Sequence, residues 1–469
     1  MLIFVRGNSY LWVMNKLKTL REEVRNVLIQ NILPFWIDNV QDVERGGWYG
    51  QMTGRGELVP DAPRGAVLYA RLLWTFSAAY RVLAGVEGGA AYKRLLEAAT
   101  MTKDYILAHF VDEEYGGTYW SVTADGAPLD TKKQFYAQGF MLYGFAEYAR
   151  ATGDGEALKM AQQLFDVIEQ HAWDGEHGGY IEACTRDWQP IEDMRLSAKD
   201  ENYPKSQNTH LHIIEPYANL LRGWPTLSPS PREGEWPTPS PSPREGDSSP
   251  LAGAVARLID LFCTRILNPA THHLDLFFDM DWRRMSTTES YGHDIECSWL
   301  LHEAALALGD AEVLRRVEPV VRAVAAASEK GLRESLNPGP GLTPNPSPKG
   351  EGNFKGEGSL FLCELGEREG LQEQRPVEAV WWVQAEAVVG FFNIYQHFGD
   401  EAALDKALRV WEYIKEHLID REHGEWFWSV REDGSVNLDD DHAGFWKCPY
   451  HNSRMCLELI ERIDAMLAT

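Results

Sequence analysis

Hydrophobic residues recur at a helical period along most of the chain. In EALKMAQQLFDVIEQH, the side chains of Leu158, Leu164 and Ile168 fall on one face at the 3.6-residue period of an α-helix. A Gly-Asp pair at 153–154 precedes this segment, and Gly suits the end of one helix and Asp the N-cap of the next. The pattern predicts twelve helices, at about 15–33, 65–85, 90–110, 133–151, 155–171, 207–222, 251–267, 293–308, 311–328, 377–398, 401–418 and 448–467.

A short glycine motif separates pairs of predicted helices. Each copy combines a Gly turn with alternating aromatic residues, which is typical of a small β-hairpin. The motif reads ERGGWYGQM at 44–52, EYGGTYWSV at 114–122, EHGGYIEAC at 176–184 and EHGEWFWSV at 422–430. We expect two further hairpins near 271–282 and 358–365, because the motif then recurs roughly every 65 residues once two inserts are left out.

The two inserts are rich in Pro, Ser and Gly. They cover residues 223–252 and 337–358, and SPSPREG occurs twice in the first of them. Such composition cannot bury a hydrophobic core, so both segments are predicted to be solvated loops. The first insert should lie on the side of the domain opposite the catalytic cleft. The second should lie on the catalytic side, where it could crowd the cleft.

The first and last helical patterns have no partner next to them in the sequence. Both are apolar on one face, as Leu20, Val24, Leu459 and Ile463 illustrate. Pairing them closes a ring, which predicts an all-α fold, an (α/α)6 barrel whose alternate helices form the inner wall. A single catalytic domain would span 15–469. Residues 1–14 would be a non-native or flexible extension, with Met14 as an alternative start.

The amino-acid composition disfavours some classes of binding partner for this domain. Lys+Arg number 45 against 70 Asp+Glu, a net charge of −25 that disfavours nucleic acids and anionic membrane surfaces. Six cysteines without a CxxC pair indicate reduced thiols and a cytoplasmic protein. We expect a monomer or weak dimer. Aromatic residues make up 11% of the chain, and their faces suit sugar C–H groups, although most should fill the core.

The residues that suggest chemistry fall mainly in the first turns of the predicted inner helices. Those turns should all lie at the hairpin end, in one cleft, where helix N-termini favour an anionic intermediate. The set comprises Arg71, Tyr136, His212, His293, Glu296, Trp381, Trp382 and His451.

Each of these residues also has a structural interpretation. His212 is as easily interpreted as a buried, hydrogen-bonded core histidine as it is as a catalytic one. His451 could simply cap its helix. His293 and Glu296 are spaced i,i+3 and could form a carboxylate–imidazole pair or a surface contact. His210, His212 and Glu215 could suggest a metal site. However, His210 and His212 face different sides of a helix and no HExxH motif is present, so we expect no metal.

Six ordered motifs resemble the N-acylglucosamine 2-epimerase superfamily, and within it the cellobiose 2-epimerase branch. They span the chain from about residue 15 to 467, apart from the two inserts. The motifs are APRGAVLYARLLWTFSAAY (62–80), FYAQGFMLYGFAEY (135–148), KSQNTHLHIIEPY (205–217), SYGHDIECSWLLHEA (290–304), VWWVQAEAVVGF (380–391) and WKCPYHNSRM (446–455).

The resemblance implies inversion at C2 of the reducing-end sugar of β-1,4-linked disaccharides, without a cofactor. His293 and His451 match the two acid/base histidines, and Glu296 matches the carboxylate that supports His293. Arg71 and His212 match groups around the enediolate oxygens. Positions that contact or shape the sugar are matched by Tyr136, Asp200, Asn208, Trp381 or Trp382, and Trp446.

The chemistry agrees with this implication but leaves alternatives open. Histidine, with an ordinary pKa of about 6.5, can act as base or acid near neutral pH. An aldose–ketose isomerase, or an epimerase of monosaccharides or N-acylglucosamine, would use the same enediolate. A glycoside hydrolase would need two carboxylates, for which Asp200, Glu296 and Asp294 are candidates. A non-catalytic sugar-binding protein would not need the histidine set.

Overall fold

The computed structural model describes residues 2–87, 92–223, 249–335, 358–365 and 377–468. Within them, twelve helices longer than one turn follow one another, and their order is that predicted from the hydrophobic pattern. Their bounds are α1 Leu2–Val27, α2 Ala66–Glu87, α3 Lys93–His109, α4 Phe135–Thr152, α5 Gly155–His171, α6 Gln207–Gly223, α7 Pro250–Leu261, α8 Tyr291–Leu308, α9 Ala311–Ser328, α10 Trp381–Phe398, α11 Glu401–Tyr413 and α12 Tyr450–Leu467.

Three outer helices end in π-helical turns that the sequence pattern did not distinguish from α-helix. Helix α1 continues through Leu28–Ile32, the short helix Leu33–Phe35 and Trp36–Val40. Helices α7 and α11 continue through Phe262–Ile266 and Ile414–Leu418. The last π turn of each leads directly into a hairpin, whose first bridge begins at Gln41, Leu267 or Ile419.

The helices form two concentric rings. The even-numbered helices contact one another in sequence order, and α12 closes the ring against α2. Each odd-numbered helix packs outside, and α1 packs against α12. The burial of side chains agrees with this arrangement. The inner helix α4 is buried from Phe135 to Ala149, whereas the outer helix α5 buries one stripe that includes Leu158, Leu164 and Ile168. The predicted (α/α)6 barrel is confirmed.

Short antiparallel strands join the helices at one end of the barrel. Strand β1 (Arg64–Gly65) pairs with β2 (Ser121–Val122), which pairs with β3 (Pro128–Asp130). The other pairs are β4 (Lys133–Gln134) with β5 (Ala183–Cys184), β6 (Lys205–Ser206) with β7 (Phe277–Phe278), β8 (Leu332–Glu334) with β9 (Leu360–Leu362), and β10 (Glu378–Val380) with β11 (Ser429–Arg431).

Five of the hairpin turns share one geometry. A side-chain oxygen of an Asp or Asn accepts hydrogen bonds from the backbone N–H groups two and three residues later, at Asp42, Asp112, Asp174, Asn268 and Asp420. Four residues after each of them the backbone has a positive φ, at Gly46, Gly116, Gly178, His272 and Gly424. The hairpin predicted near 271–282 therefore has His272 at the position where the other four have Gly.

The hairpins hold the N-termini of the inner helices. The first N–H groups of α2, α4, α6 and α10 donate to the carbonyls of Trp120, Glu182, Leu276 and Trp428 at 2.9 to 3.0 Å. Met52 and Ala443 form a similar bridge ahead of α12. All inner helices thus begin at the hairpin end, as predicted, and the residues of their first turns share one space.

The central parts of both predicted inserts, 224–248 and 337–357, lie outside the described residues. Helix α6 ends at Gly223, where the first insert begins, at the end opposite the hairpins. The backbone of 2–14 continues α1, and a non-native extension there stays a prediction. None of the described helices combines the length and apolar composition required to cross a membrane.

Candidate active site

Arg71 lies in the floor of the cleft with one unsatisfied donor. Its guanidinium is buried between the rings of Phe140 and Tyr450, at 4.3 and 4.8 Å from their centroids. Nη2 donates to the hydroxyl of Tyr136 at 2.9 Å. The Nε–H is buried without a hydrogen-bond partner among the described residues, so a cationic donor is available to an anionic oxygen.

His212 lies at a kink in α6. Its backbone leaves helical geometry (φ −91°, ψ 16°), and Pro216, four residues later, has no N–H to offer the His212 carbonyl. Its Nδ1 lies 3.1 Å from Glu215 Oε2, and its Nε2 lies 3.9 Å from Glu296 Oε2. Burial, with the nearby Arg71 charge, lowers the pKa of His212 well below its usual value.

His451 is held by a carboxylate that the sequence did not reveal. Its Nδ1 lies 2.7 Å from Glu386 Oε1, on the neighbouring helix α10. A carboxylate can only accept here, so Nδ1 carries the proton and a neutral ring presents a basic Nε2. Burial lowers the pKa of His451 well below its usual value, so the imidazole is neutral in the empty site.

His293 is positioned by Ser290, and the predicted support by Glu296 is wrong. Ser290 caps α8, and its hydroxyl lies 2.7 Å from His293 Nδ1. Glu296 shares the helix face, as its i,i+3 spacing requires, but turns into the barrel axis and bonds Arg454 instead. Burial lowers the pKa of His293 to about 4.

Both acid/base candidates border the same ring. Trp382 lies 5.0 Å from His293 and 5.5 Å from His451, measured between ring centroids. For both histidines, Nδ1 is engaged by the protein, and Nε2 has no hydrogen-bond partner in the described part of the chain. Two imidazoles therefore offer their Nε2 atoms to one space beside an indole.

Beneath the histidines, one arginine joins three buried carboxylates. Arg454 bonds Glu215, Glu296 at 2.7 Å and Glu386 at 2.6 Å, and all four side chains are at most 2% exposed. Glu386 also accepts from the indole N–H of Trp299 at 2.9 Å. Burial raises the pKa of Glu296 to about 8 and raises that of Glu386 above its usual range. The cluster therefore retains a proton at neutral pH.

Glu386 and Arg454 were missed by the sequence interpretation, which considered Glu215 only as a possible metal ligand. Each stands three or four residues after a predicted site residue, His212, Trp382 or His451, and so lies one turn deeper on the same helix face. Charged residues in helices that are otherwise buried were the available signal.

Of the three candidate tryptophans, one packs in the core and two line the cleft. Trp381 is 2% exposed, with Lys447 Nζ 4.3 Å from its centroid, so it packs in the core. Trp382 is partly exposed between the two histidines and is the member of the pair that faces the cleft. Trp446 is also partly exposed, 5.9 Å from the ring of Tyr136, and extends the aromatic wall.

The remaining polar candidates, Asp200, Asn208 and Asp294, have different surroundings. Asp200 is partly exposed and accepts two hydrogen bonds from Ser197, at 2.8 Å each. Asn208 has a buried Oδ1 without a partner among the described residues, as expected for a group that awaits a ligand. Asp294 is fully buried against His273 at 2.6 Å and belongs to the packing of α8, not to the Arg454 cluster.

Glu296, Glu386 and His451 offer three possible metal-ligand atoms within 4.8 Å of one another. Arg454 donates to Oε1 of both carboxylates, so a positive charge of the chain already occupies this place. The arrangement fits an arginine-centred cluster better than a dication. His210 is used structurally, since Nδ1 contacts the Ser206 carbonyl and Nε2 accepts from the Tyr180 N–H.

Comparison with known proteins identifies the family. The model of the N-acylglucosamine 2-epimerase (GlcNAc 2-epimerase) family matches residues 30–217 and 364–453. These ranges include Arg71, His212 and His451, whereas His293 lies between them.

Relatives and solved structures match over almost the whole chain. The cellobiose 2-epimerases of Bacteroides fragilis and Ruminococcus albus are 48% and 35% identical, each over 94% of this chain and 98% of their own. The structure of cellobiose 2-epimerase from Bacillus thermoamylovorans B4167 superposes with a TM-score of 0.78 at 35% identity, covering 95% of this chain and 100% of that one. The chain therefore belongs to the N-acylglucosamine 2-epimerase family of carbohydrate epimerases.

Proposed function

We propose that the chain is a cellobiose 2-epimerase that converts the reducing-end glucose of β-1,4-linked disaccharides into mannose. The observation that carries the proposal is the pair of imidazoles beside Trp382, each with Nδ1 held by the protein and Nε2 free for a substrate. The names of the relatives at 48% and 35% identity support the substrate class.

In the proposed reaction, the sugar ring opens to the aldehyde, which acidifies the proton at C2. One imidazole Nε2 takes that proton as the C2–H bond breaks, and the electron pair forms a cis-enediolate between C1 and C2. The other imidazole, protonated by then, delivers a proton to the opposite face of C2. Histidine suits both roles, because one ring can accept and later donate at the same nitrogen.

The enediolate carries a negative charge that the ground-state aldehyde lacks. Arg71 has an unsatisfied Nε–H and the hydroxyl of Tyr136 beside it, and both can donate to the developing oxyanion. A buried, fixed cation stabilises this charge more than it stabilises the neutral substrate, which lowers the barrier. His212, next to Tyr136, can move the proton during ring opening.

The carboxylate cluster stabilises the protonated form of His451 during the reaction. His451 is neutral before substrate binds, and its Nδ1–H donates to Glu386 at 2.7 Å. When Nε2 of His451 takes up the C2 proton, the imidazolium therefore forms next to a carboxylate. Burial raises the pKa of Glu296 to about 8, so this second carboxyl group of the cluster retains a proton at neutral pH.

A glycoside hydrolase is disfavoured by the same geometry. Of its candidate carboxylates, Asp294 is buried against His273 and Glu296 is bonded to Arg454. Two carboxylates flanking a glycosidic bond are not found among the described residues of this cleft. The histidines, in turn, would have no role in glycoside cleavage.

Incubation with cellobiose, lactose, glucose, mannose and N-acetylmannosamine tests the proposal. We expect glucosyl-mannose from cellobiose and epilactose from lactose, with slower or no reaction of the single sugars. Ketose products would assign an isomerase, and released monosaccharide would assign a hydrolase. His293→Ala and His451→Ala should each abolish turnover while the circular dichroism spectrum and melting temperature stay close to those of the parent.

A further inference from the structure

One carboxyl group of the site takes no direct part in the C2 chemistry proposed above. Glu296 on α8 is fully buried, and its Oε1 accepts a hydrogen bond from Arg454 at 2.7 Å. Its Oε2 is also buried, but it has no hydrogen-bond partner among the described residues. Buried polar atoms are almost always paired with protein, water or a ligand. Oε2 of Glu296 is therefore available to a bound molecule.

The surroundings of Glu296 place a proton on Oε2. Arg454 bonds three carboxyl groups, those of Glu215, Glu296 and Glu386, and its single positive charge balances only one carboxylate. Burial raises the pKa of Glu296 to about 8, so this group is a neutral acid at neutral pH. The proton lies on Oε2, because Oε1 is the oxygen that accepts from the guanidinium. Glu296 therefore presents a buried O–H donor.

His212 offers the complementary acceptor beside this acid. Its Nδ1 lies 3.1 Å from one oxygen of Glu215. The other oxygen of Glu215 bonds Arg454 and the hydroxyl of Tyr450, so Glu215 is ionised and Nδ1 carries the ring proton. Nε2 of His212 keeps its lone pair and lies 3.9 Å from Glu296 Oε2. A proton acceptor and a proton donor thus border the same gap.

The width of this gap suits the two oxygens of a hemiacetal. Hydrogen bonds join heavy atoms at about 2.7–3.2 Å, so the acid and the imidazole do not bond each other directly. In the ring form of a reducing sugar, the C1 hydroxyl and the ring oxygen O5 are bonded to the same carbon. They therefore lie closer together than the 3.9 Å between Nε2 and Oε2. Each oxygen can then bond one member of the pair.

The pair adjoins the groups that are proposed to hold the oxygen at C1. After burial, the charge of Arg71 is the largest influence on the pKa of both His212 and Glu296. The Nε–H of Arg71 is likewise buried, and no partner for it lies within the described ranges. The Tyr136 hydroxyl accepts from Arg71, and the Tyr136 ring lies 5.0 Å from that of His212. The reducing end of the sugar therefore meets all of these groups together.

We propose that Glu296 and His212 open and reclose the sugar ring as an acid–base pair, which gives the enzyme a mutarotase activity that interconverts the anomers of reducing sugars. His212 Nε2 takes the proton of the C1 hydroxyl as the C1=O bond forms. The C1–O5 bond breaks, and O5 takes the proton of Glu296 Oε2. The pair is then imidazolium and carboxylate, and reclosure of the ring returns both protons. The proposal rests on the proposed epimerase function.

This activity is separate from epimerisation. If the aldehyde group turns about the C1–C2 bond before O5 attacks, the ring closes on the other face of C1 and the other anomer forms. No bond to hydrogen at C2 breaks, so neither His293 nor His451 is required. The pair ends each cycle in its starting protonation state, and no other reactant is consumed.

The test first removes the C2 chemistry with His293→Ala. This variant should not epimerise, so the optical rotation of freshly dissolved α-lactose reports the anomers alone. Glu296→Gln, added to the same background, keeps the size of the side chain and a donor to the sugar but has no proton to transfer. Glu303→Gln changes another carboxylate of α8, which bonds Arg222 and Arg462, and is the matched control.

We expect His293→Ala to speed mutarotation above the spontaneous rate in proportion to its concentration. Glu296→Gln should reduce this excess by about 10²-fold, as is typical for loss of a general acid, whereas Glu303→Gln should leave it unchanged. No excess with His293→Ala, or a full excess after Glu296→Gln, would overturn the proposal. If Glu296→Gln does not fold, His212→Asn gives the same readout, because its amide can still bond Glu215 but nothing replaces Nε2.

The parent enzyme separates this proposal from the proposed function. Epimerisation of lactose by the parent, without mutarotation by His293→Ala, would overturn the acid–base pair and leave the proposed function standing. Mutarotation that depends on Glu296, in a parent that does not epimerise lactose or cellobiose, would refute the proposed function and support the pair.

Discussion

The three histidines of the cleft have their ionisation set by burial. From an ordinary pKa near 6.5, sequence reasoning expected both protonation states near neutral pH. Burial instead lowers the pKa of His293 to about 4, and burial together with the nearby Arg71 lowers the pKa of His451 well below its usual value. Burial raises the pKa of Glu296 and of Glu386, so the proton that the site retains near neutral pH lies in the carboxylate cluster and not on a histidine.

This distribution predicts the pH dependence of kcat/KM, which reports ionisations of the free enzyme. His293 must be neutral to act as base, so activity should fall only as the pH drops through about 4. Loss of the Glu296 proton adds a second negative charge to the buried cluster beneath His451, so activity should also fall as the pH rises through about 8. Initial rates between pH 4 and 10 give the profile. An acidic limb centred on 6.5 would contradict this assignment.

Glu386 should be a positioning residue for His451. Glu386→Gln keeps the shape of the side chain but removes the charge that stabilises the imidazolium, so we expect kcat to fall by about 10²-fold at similar KM. The acidic limb of the pH profile should also move, which loss of packing alone would not cause. Glu401→Gln, on the exposed first turn of α11, is the matched control and should leave turnover unchanged. Normal turnover in Glu386→Gln would show that the pair is incidental.

At the residue scale, the sequence identified the groups that face the cleft but not those behind them. His212, His293 and His451 come together with Arg71 because all four lie within the first two turns of inner helices. The role of Glu296 was misassigned, because i,i+3 spacing shows that two residues share a face but not which side chains bond. Partners on other helices, such as Glu386 for His451, require the packing of the barrel.

At the scale of the elements, the close approach of inner helices depends on small residues. Gly139 on α4 lies against α6, and a Cβ added there would overlap the carbonyl oxygen of His212. That carbonyl has been freed from the helix by Pro216. The contact therefore links the kink that orients His212 to the spacing of two helices.

Gly139→Ala should push α4 and α6 apart. We expect a loss of about 1–3 kcal/mol in the free energy of unfolding, the usual cost of overpacking a tight contact, and a reduced kcat because Tyr136 and His212 shift together. Chemical denaturation and steady-state rates measure both effects. Gly155→Ala, at an open position in the first turn of α5, is the control and should not destabilise. Equal stability of both variants would show that the α4–α6 contact is loose.

Helix positions followed from periodicity to within a few residues, except that α1 begins at Leu2 and not near residue 15. The turns followed only in part. Gly46, Gly116, Gly178 and Gly424 were predictable turn residues, because glycine is the residue that most readily adopts a positive φ. The Asp or Asn four residues earlier was not recognised as part of the motif, although it is also present at Asn268, in the hairpin that has His272 in place of Gly. The π turns stayed invisible, since they keep a helical pattern of apolar residues.

For the whole molecule, ring closure was predictable because apolar faces at the two chain ends must be covered. The contact between α1 and α12 is reinforced at the surface by Arg21, which bonds Asp464 twice at 2.9 Å. Which charged residues are buried was less predictable from the sequence. Their burial also makes the free energy of unfolding depend on pH. Glu182, buried beside Ser206 and Thr209, has its pKa raised to about 8 by desolvation, as Glu296 has.

Stability should therefore decline between pH 6 and pH 9. The folded protein binds these protons more tightly than the unfolded chain, so their contribution is complete below the ordinary pKa near 4.5 and is lost as the pH rises through about 8. Urea denaturation at pH 6 and pH 9 measures the decline, and Glu182→Gln should reduce it. A free energy of unfolding that rises over this interval would contradict the assigned protonation.

The central claim is that two histidines exchange a proton at C2 of the sugar. Incubation of the enzyme with cellobiose in D2O, followed by NMR of the products, tests it most directly. The account predicts glucosyl-mannose that carries deuterium at C2, and no such exchange with His293→Ala or His451→Ala. Epimer formed without deuterium at C2, or exchange that persists in either variant, would contradict it.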